Sequence, residues 1–185
     1  KWPFFLMVGA LDPHKNFEVA VSALVNARKQ LPMMQLAVVG GIMSDPTKVL
    51  YKHKLEDDRI EGVMFTDFVS RRELECLYAS SCALLFPSLY EGFGFPILEA
   101  MANGCPVVTT KVASIPEVAG DAAVILPADD RRAFMEVMLA LANEGPAGET
   151  REILIQKGKM QAQKFTWDEV AFRTLEVWAR QLNAI

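Results

Sequence analysis

The residues best suited to chemistry lie in one short stretch, "FPSLYEGFGFPILEAMANGCPVVTT", at residues 86–110. Glu91 and Glu99 flank the glycine-rich run "GFGFP", which follows an apolar segment typical of a strand. A glycine-rich loop before a helix presents backbone amides that bind phosphate. A carboxylate repels phosphate, but it accepts strong hydrogen bonds from hydroxyl groups and can bind a vicinal diol with two oxygens. The combination predicts a ligand with a phosphate core and a polyol at each end, such as a nucleotide diphosphate sugar.

The turn signals in this stretch predict a short helix over residues 95–103. Pro96 suits the first helical turn because it has no amide hydrogen and its φ is already helical. Gly104 suits the left-handed position after a helix, and Pro106 prevents continuation. The amides of residues 92–94 would then lie at the helix N-terminus, where the helix dipole also attracts anions. We therefore predict an anion site at the carboxyl end of the preceding strand, the edge at which open α/β sheets bind ligands.

The segment "VGALDPHKN", residues 8–16, offers a second phosphate-binding element. It ends a strand at Gly9 and begins a helix near Asn16, and Lys15 at the turn could neutralise a diphosphate as a point charge. Taken alone, such a lysine is more often a solvated turn residue, and a loop histidine such as His14 is more often a bystander than a catalyst. Beside the two glutamates, the phosphate-binding interpretation of Lys15 is favoured.

Two further strand ends are weaker candidates. Gly40 and Gly41, in "VVGG", end the second predicted strand and either form a tight turn or allow the backbone to approach a ligand closely. The segment "FTDFVS", residues 65–70, ends the next strand and could contact a base, although any loop after a strand would look similar.

Six apolar runs of strand length alternate with segments of helical periodicity, such as residues 17–31. The runs are continuous, which is typical of strands covered on both faces. The alternation predicts an α/β fold: a Rossmann-like, three-layer domain with a mainly parallel six-stranded sheet, right-handed crossovers and helices on both faces. The predicted strands are residues 4–9, 35–40, 62–66, 82–86, 106–110 and 122–126.

Composition and charge argue against several function classes. The 185 residues carry a formal net charge of −4 and no basic run, so no nucleic-acid partner is expected. The apolar runs are far shorter than the ~20 residues that span a bilayer, and no secretory signal is visible. Three cysteines without a CxxC pair argue against a disulfide framework or a zinc site. We expect Cys76, Cys82 and Cys105 to be reduced and mostly buried.

Three S/T-x-x-E patterns predict capping boxes at helix starts, namely Ser70–Glu73, Ser114–Glu117 and Thr166–Glu169. Residues 143–150 predict a break between two helices within one domain. The acidic pair at residues 129–130 is interpreted as a helix start, and the acidic run at residues 56–58 as a solvated helix end.

The last predicted helix, about residues 167–183, carries an apolar stripe that includes Trp167 and Trp178. The stripe either packs on the sheet of its own domain or contacts a neighbouring domain outside this sequence. We assign residues 1–166 to one nucleotide-sugar-binding domain and residues 167–185 to its terminal helix. The chain opens on a buried-type strand without an initial methionine, which suggests a piece of a longer protein.

These segments resemble the large group-1 family of retaining glycosyltransferases. Glu91 and Glu99 match the two glutamates of its E-x7-E motif, and Lys15 with Asn16 matches the Lys-Asn pair of its strand-turn motif. "VASIPEVAGDAAVILPADD", residues 112–130, resembles the next segment of the family. The resemblance covers nearly the whole chain. It implies the C-terminal, donor-binding half of a two-domain (GT-B) fold, with the N-terminal acceptor-binding half missing.

The resemblance implies a role for each matching residue. Lys15 would bind the donor diphosphate, Glu91 the sugar hydroxyls at the reacting centre, and Glu99 the ribose hydroxyls. Many members carry an arginine where this chain has Ala10, and His14 is the candidate for part of that second cationic role. Lys15 and Glu91 are the candidate catalytic residues. The substrate-binding candidates, which include the amides of the glycine-rich loop and the contacts to the base, are Gly9, Ala10, His14, Lys15, Gly40, Phe68, Val69, Glu91, Gly92, Phe93, Gly94, Phe95 and Glu99.

The implied reaction is hexosyl transfer from a UDP-, GDP- or ADP-sugar to an acceptor hydroxyl with retention, in polysaccharide or glycoconjugate synthesis. The family does not depend on a DxD-bound metal, and the sequence has no DxD motif, so neither a metal nor another cofactor is expected. The expected location is the cytoplasm or the cytosolic face of a membrane, with any membrane contact made through the missing half.

Several alternatives stay open at this point. One is a phosphorylase or a sucrose- or trehalose-type synthase of the same architecture, and another is a nucleotide-sugar-binding module without catalysis. A double-displacement glycosidase is rejected, because it needs two carboxylates ~5–5.5 Å apart. We expect Glu91 and Glu99 to flank a longer ligand. A dinucleotide-dependent dehydrogenase is disfavoured because the first turn is not GxGxxG and no acidic residue ends the second strand.

Overall fold

A computed structural model describes residues 3–9, 12–40 and 60–182 of the chain. Six strands form one sheet in the order β3-β2-β1-β4-β5-β6, and every neighbouring pair is parallel. This confirms the predicted Rossmann-like α/β fold, and each strand lies within its predicted run. The strands are β1 (Phe4–Val8), β2 (Gln35–Val39), β3 (Val63–Thr66), β4 (Leu84–Phe86), β5 (Val107–Thr110) and β6 (Val124–Leu126).

Helices flank the sheet, and a 3-10 turn at Pro13–Lys15 precedes the first of them. The predicted helix break near residues 143–150 is confirmed, because one helix ends at Glu144 and the next begins at Glu149. The helices among the described residues are α1 (Phe17–Arg28), α2 (Arg71–Ser80), α3 (Phe95–Ala102), α4 (Ile115–Ala119), α5 (Arg131–Glu144), α6 (Glu149–Ala162) and α7 (Trp167–Leu182).

The continuous apolar runs have a direct explanation in the packing of the sheet. Successive strand residues point to opposite faces. Phe5 and Met7 of β1 join an apolar cluster with α1 and α5, whereas Leu6 joins a second cluster with α2, α3 and α4. All three side chains are at most 2% exposed. Full burial of one such side chain stabilises the fold by about 1.5–3 kcal/mol.

Two expectations from the sequence were wrong in part: the burial of the cysteines and the end of the first helix. Cys76 is exposed, because α2 buries only one face against the sheet and Tyr78 lies on that face. Cys82 is half-buried and Cys105 is buried, and burial raises the pKa of the Cys105 thiol to about 11. Residues 17–31 form a helix only as far as Arg28.

The capping predictions have mixed outcomes. Ser70–Glu73 forms the full reciprocal box: the Glu73 amide donates to Ser70 Oγ at 3.3 Å, and the Ser70 amide donates to Glu73 Oε2 at 2.7 Å. Thr166 Oγ1 accepts from the Glu169 amide at 3.2 Å, but the Glu169 carboxylate accepts from Arg173 and not from the Thr166 amide, as a full capping box requires. The acidic pair at residues 129–130 does begin a helix, with Asp130 as its cap.

Helix α7 differs from every other described helix longer than one turn because none of its residues is buried. Its large apolar side chains are all more than half exposed, including Trp167, Leu175 and Trp178. Among the described helices, none combines the length and the apolar character needed to cross a bilayer.

Candidate functional site

The strand order creates a switch point between β1 and β4. From β1 the chain proceeds to β2 and β3 on one side of the sheet, and from β4 it proceeds to β5 and β6 on the other. Neighbouring loops therefore leave in opposite directions, which opens a crevice at the carboxyl ends of the two central strands. Lys15 follows β1 and Glu91 follows β4, so the topology brings together two residues that lie far apart in sequence.

Lys15 and Glu91 meet directly in this crevice. Lys15 Nζ lies 2.6 Å from Glu91 Oε1, and the two side chains are only 14% and 12% exposed. Ser88 Oγ donates to the same carboxylate oxygen at 2.8 Å. The ammonium group also lies 4.8 Å from the centroid of the Phe86 ring, within the range of a cation–π contact. The site thus holds a cation and a carboxylate side by side, largely shielded from water.

Ser114 holds the loop that carries Glu91. Its hydroxyl is within hydrogen-bond distance of the Glu91 and Phe93 carbonyl oxygens, at 2.9 and 3.0 Å, and donates to this pair of acceptors. The predicted capping box Ser114–Glu117 is therefore wrong, since Ser114 makes no side-chain cap bond. Its φ and ψ of −75° and −13° are helical rather than the extended conformation of a capping residue.

The turn that carries Lys15 is fastened to the loop after β4. Asn16 has a left-handed backbone with φ of 54°, and its Nδ2 donates to the Pro87 carbonyl at 3.1 Å and the Ala128 carbonyl at 2.7 Å. The Leu89 amide donates to the His14 carbonyl at 2.7 Å. His14 therefore makes this contact through its backbone, and its side chain is exposed.

The glycines at the ends of β1 and β2 have a structural reason for their type. Gly9 has φ of +66°, and Gly40 has φ of +141°. A Cβ atom on Gly40 would lie 3.3 Å from Gly9 Cα and N, so a side chain there would force the two backbones slightly apart. Outside the described residues lie Ala10, Gly41, the acidic run at residues 56–58, and His53, which we interpret from the sequence as a surface residue.

The loop before α3 has the predicted form. Gly94 caps the helix with φ of +105°, the helix begins at Phe95, and Gly104 after it has φ of +68°. Gly92 is exposed, and apart from Gly92 and its two chain neighbours no described residue has a heavy atom within 4 Å of where its Cβ would be. The backbone of residues 92–94 therefore precedes a helix N-terminus beside an open space, as an anion site requires.

Glu99 lies one turn into α3 and is exposed. Its Oε2 accepts a hydrogen bond of 3.1 Å from the Tyr78 hydroxyl. Burial and the neighbouring Glu99 carboxylate raise the pKa of Tyr78 well above its usual range, so the phenol stays protonated and remains a donor. In the loop before α2, Phe68 is 81% exposed and Val69 is half-buried.

Ser88, Ser114 and Tyr78 are the contacts that sequence reasoning missed. Ser114 stands three residues before a glutamate, which imitates a capping box. Tyr78 follows Leu74 at helical spacing, and a tyrosine on a buried helix face usually finds a partner for its hydroxyl. Which partner it finds depends on the packing of α2 against α3. Within the described ranges, no group of three or more His, Cys, Asp or Glu side chains is arranged to hold a metal ion.

Residues 1–161 match the family described as "Glycosyl transferases group 1". The chain belongs to this family. It is 30% identical over 175 residues to the "O-antigen chain mannosyltransferase B" of Escherichia coli, and the match covers 95% of this chain and 45% of the relative. The chain therefore spans less than half the length of that curated relative.

Solved structures of the same architecture agree with the fold. A sucrose-phosphate synthase from Thermosynechococcus elongatus superimposes with a TM-score of 0.80 at 25% identity, over 100% of this chain and 47% of that one. A TarM mutant from S. aureus, in complex with Fondaparinux, alpha-GlcNAc-glycerol and UDP, gives a TM-score of 0.81 at 15% identity. That match covers 95% of this chain and 35% of TarM, and it concerns the fold alone.

Proposed function

We propose that this chain is the donor-binding half of a retaining hexosyltransferase. The whole enzyme would transfer a hexosyl group from a nucleotide diphosphate sugar to an acceptor hydroxyl, in polysaccharide or glycoconjugate synthesis. The observation that carries the proposal is the contact between Lys15 and Glu91 at the switch point of the sheet. Family membership and the glycine-rich loop before α3 support it.

The contact has the geometry that a sugar diphosphate needs. In such a donor the anomeric carbon is bonded to a diphosphate oxygen, so the cation for the diphosphate and the acceptor for the sugar hydroxyls must be neighbours. Lys15 and Glu91 are neighbours, at 2.6 Å. Glu91 Oε1 is taken by Lys15 and Ser88, which holds the carboxylate in a defined orientation towards hydroxyl donors.

The difficult step is the growth of negative charge on the departing diphosphate. In our proposal the Lys15 ammonium and the amides of residues 92–95 stabilise that charge without a metal ion. The ammonium is already in place in a largely shielded site, where such electrostatic stabilisation is most effective. We expect a chelator such as EDTA to leave the initial rate unchanged. A tenfold loss that Mg²⁺ restores would contradict this part of the proposal.

The nucleoside is assigned to the other side of the crevice. Glu99 would bind the ribose diol, and the exposed Phe68 with Val69 would contact the base. We propose Gly9 and Gly40 as the close-packed turns beside the diphosphate, with the exposed His14 as a further contact to it. Mannose is the first sugar to test, because the E. coli relative is named a mannosyltransferase. The proposed location is the cytoplasm or the cytosolic face of a membrane.

Calorimetric titration tests the donor site. UDP, GDP and ADP, and then their sugars, are titrated into the full-length protein and into its Glu99→Ala variant. We expect one nucleotide to bind and the variant to weaken it by about 1–3 kcal/mol, the effect of losing a polar partner. Anomeric NMR of the product from the matching sugar donor tests retention. Binding without any transfer would favour a nucleotide-sugar-binding module, and no binding to the full-length protein would contradict the proposal.

We propose that α7 contacts the acceptor-binding half of the whole enzyme. Its apolar side chains are exposed, and they continue an aromatic series from the site loop: Phe93 and Phe95 lie 4.7 Å apart, and Phe95 and Trp167 6.5 Å apart, between ring centroids. Its arginines pair with glutamates of the same helix, Arg173 with Glu169 and Arg180 with Glu176. This leaves no excess of basic charge for an anionic membrane, and an apolar protein surface fits the helix better.

Truncation of one exposed tryptophan tests this contact. In the full-length protein we expect Trp178→Ala to lower the free energy of unfolding by about 3 kcal/mol, as for a buried aromatic residue. Met160→Ala on α6, which is 66% exposed against 62% for Trp178, is the matched control and should change it by less than about 0.5 kcal/mol. Equal effects of the two variants in denaturant unfolding would contradict the contact.

The isolated donor-binding half should bind donor weakly and transfer nothing.

A second candidate is a sucrose- or trehalose-type synthase, which the likeness to the sucrose-phosphate synthase favours because it covers this whole chain. The two candidates differ in the acceptor. Release of nucleotide that depends on a free or phosphorylated monosaccharide would favour the synthase, whereas dependence on a growing glycan would favour the polysaccharide enzyme.

A further inference from the structure

Tyr78 is a buried polar side chain to which the proposed function gives no role. It lies on α2 with 1% of its surface exposed, and it is the largest of the fully buried side chains among the described residues. Its aromatic ring belongs to the apolar cluster between the sheet and α3, together with Ile97 and Met101. Its hydroxyl reaches out of that cluster and donates to Glu99 Oε2 at 3.1 Å.

The contact joins a rigid group to a mobile one. Tyr78 is held by packing on all sides, so its hydroxyl has a fixed position. Glu99 is exposed on a helix surface, where a glutamate samples several rotamers. A hydrogen bond from the fixed hydroxyl selects one of them. Oε2 then faces Tyr78. Oε1 accepts no hydrogen bond from the described part of the chain, so it can accept one from a ligand hydroxyl.

The chemistry of the phenol suits this role. Burial and the adjacent carboxylate raise the pKa of Tyr78, so the hydroxyl remains a donor at neutral and mildly alkaline pH. Helix α2 also begins directly after the loop with Phe68 and Val69. One continuous segment therefore supplies two groups: the loop assigned to the base, and, on the helix that follows it, the Tyr78 hydroxyl, which orients the carboxylate assigned to the ribose.

We propose that Tyr78 is a positioning residue for nucleoside recognition: it orients Glu99 so that the free carboxylate oxygen meets the ribose diol of the donor. This rests on the proposed function, which assigns the ribose to Glu99. Tyr78 touches no substrate itself and acts through Glu99.

A double-mutant cycle in the full-length protein tests the proposal. Tyr78→Phe, Glu99→Ala and the double variant are titrated with the best-binding nucleotide among UDP, GDP and ADP, and with its 2′,3′-dideoxy form. We expect Tyr78→Phe to weaken the ribose-containing ligand about three- to tenfold, the order expected when one rotamer-rich side chain must be ordered on binding. It should not weaken the dideoxy ligand, and it should add nothing once Glu99 is alanine.

A purely structural role would behave differently. It would weaken both ligands equally, and it would act as strongly in the Glu99→Ala background; either result overturns the proposal. A crystal structure of Tyr78→Phe without ligand gives a second readout. We expect Glu99 in more than one rotamer, and a single unchanged rotamer would also overturn the proposal. If no nucleotide binds the unmodified protein, the proposed function fails, while the crystal structure still decides whether Tyr78 positions Glu99.

Discussion

The two ends of the candidate site differ in how the protein holds their polar side chains. At the end that we assign to the diphosphate and the sugar, Lys15 and Glu91 are largely buried and paired with each other, and Ser88 holds the carboxylate while Ser114 holds its loop. At the end that we assign to the nucleoside, Glu99 and Phe68 are exposed, and the Glu99 carboxylate accepts a hydrogen bond from Tyr78.

This difference corresponds to the work that each end would do. In the proposed reaction, charge develops at the end assigned to the diphosphate and the sugar, and groups that stabilise it are most effective when they are held in place and shielded from water. The nucleoside does not react, so its end needs only to bind. We therefore expect variants of the first end to reduce the rate and variants of the second to reduce affinity.

The largest expected effect is that of Lys15→Ala. Loss of the cation beside the departing diphosphate should lower kcat/KM of the full-length protein by ~10²–10³-fold, because one preorganised charge-stabilising contact is removed. Initial transfer rates with the donor found by calorimetry measure this. Lys29→Ala, an exposed lysine at the end of α1, is the control and should be neutral. A loss below tenfold would remove the distinction between the two ends.

Glu99→Ala should act on binding instead. We expect nucleotide affinity to fall by about 1–3 kcal/mol, because the ribose hydroxyls lose a charged acceptor. At saturating donor, kcat should stay within about twofold, since Glu99 does not face the developing charge. Separate measurement of KM and kcat checks this. A fall in kcat as large as that of Lys15→Ala would place Glu99 at the reacting end.

Ser114→Ala tests whether the fastening of the loop matters. Two carbonyl groups would lose their shared donor, which should lower the free energy of unfolding by about 1–2 kcal/mol. We expect kcat to fall about three- to tenfold through looser positioning of Glu91, with unchanged nucleotide affinity. Ser80→Ala at the exposed end of α2 is the control. If rate and affinity fall together, Ser114 supports the whole crevice rather than one end.

The smallest effect is expected for Phe68→Ala. A base that stacks on the exposed ring would lose about 1 kcal/mol of affinity, the lower end of the range for stacking on an aromatic side chain. Because Phe68 is 81% exposed, the free energy of unfolding should change by less than about 0.5 kcal/mol. Fluorescence or calorimetric titration measures the first quantity and denaturant unfolding the second. A large loss of stability would mean that Phe68 packs in the fold rather than on a ligand.

The sequence predicted the fold more completely than the contacts within the site. The strand runs, the helix over residues 95–103 and the helix start at Asp130 depend on local signals, such as apolar continuity, Pro96 and Gly104, and these survive in the structure. The capping box at Ser114 did not survive. A serine three residues before a glutamate has the same local pattern whether its hydroxyl caps a helix or binds a distant carbonyl.

The sequence by itself determined the residue types, the succession of strands and helices along the chain, and the family, because periodicity, turn residues and motif spacing are local properties of the chain. Only the tertiary structure decided that Lys15 and Glu91 share a hydrogen bond, that Ser114 holds the Glu91 loop, and that Tyr78 meets Glu99. Each of these contacts joins residues on different strands or helices. The distance between such residues depends on strand order and helix packing, which no local pattern specifies.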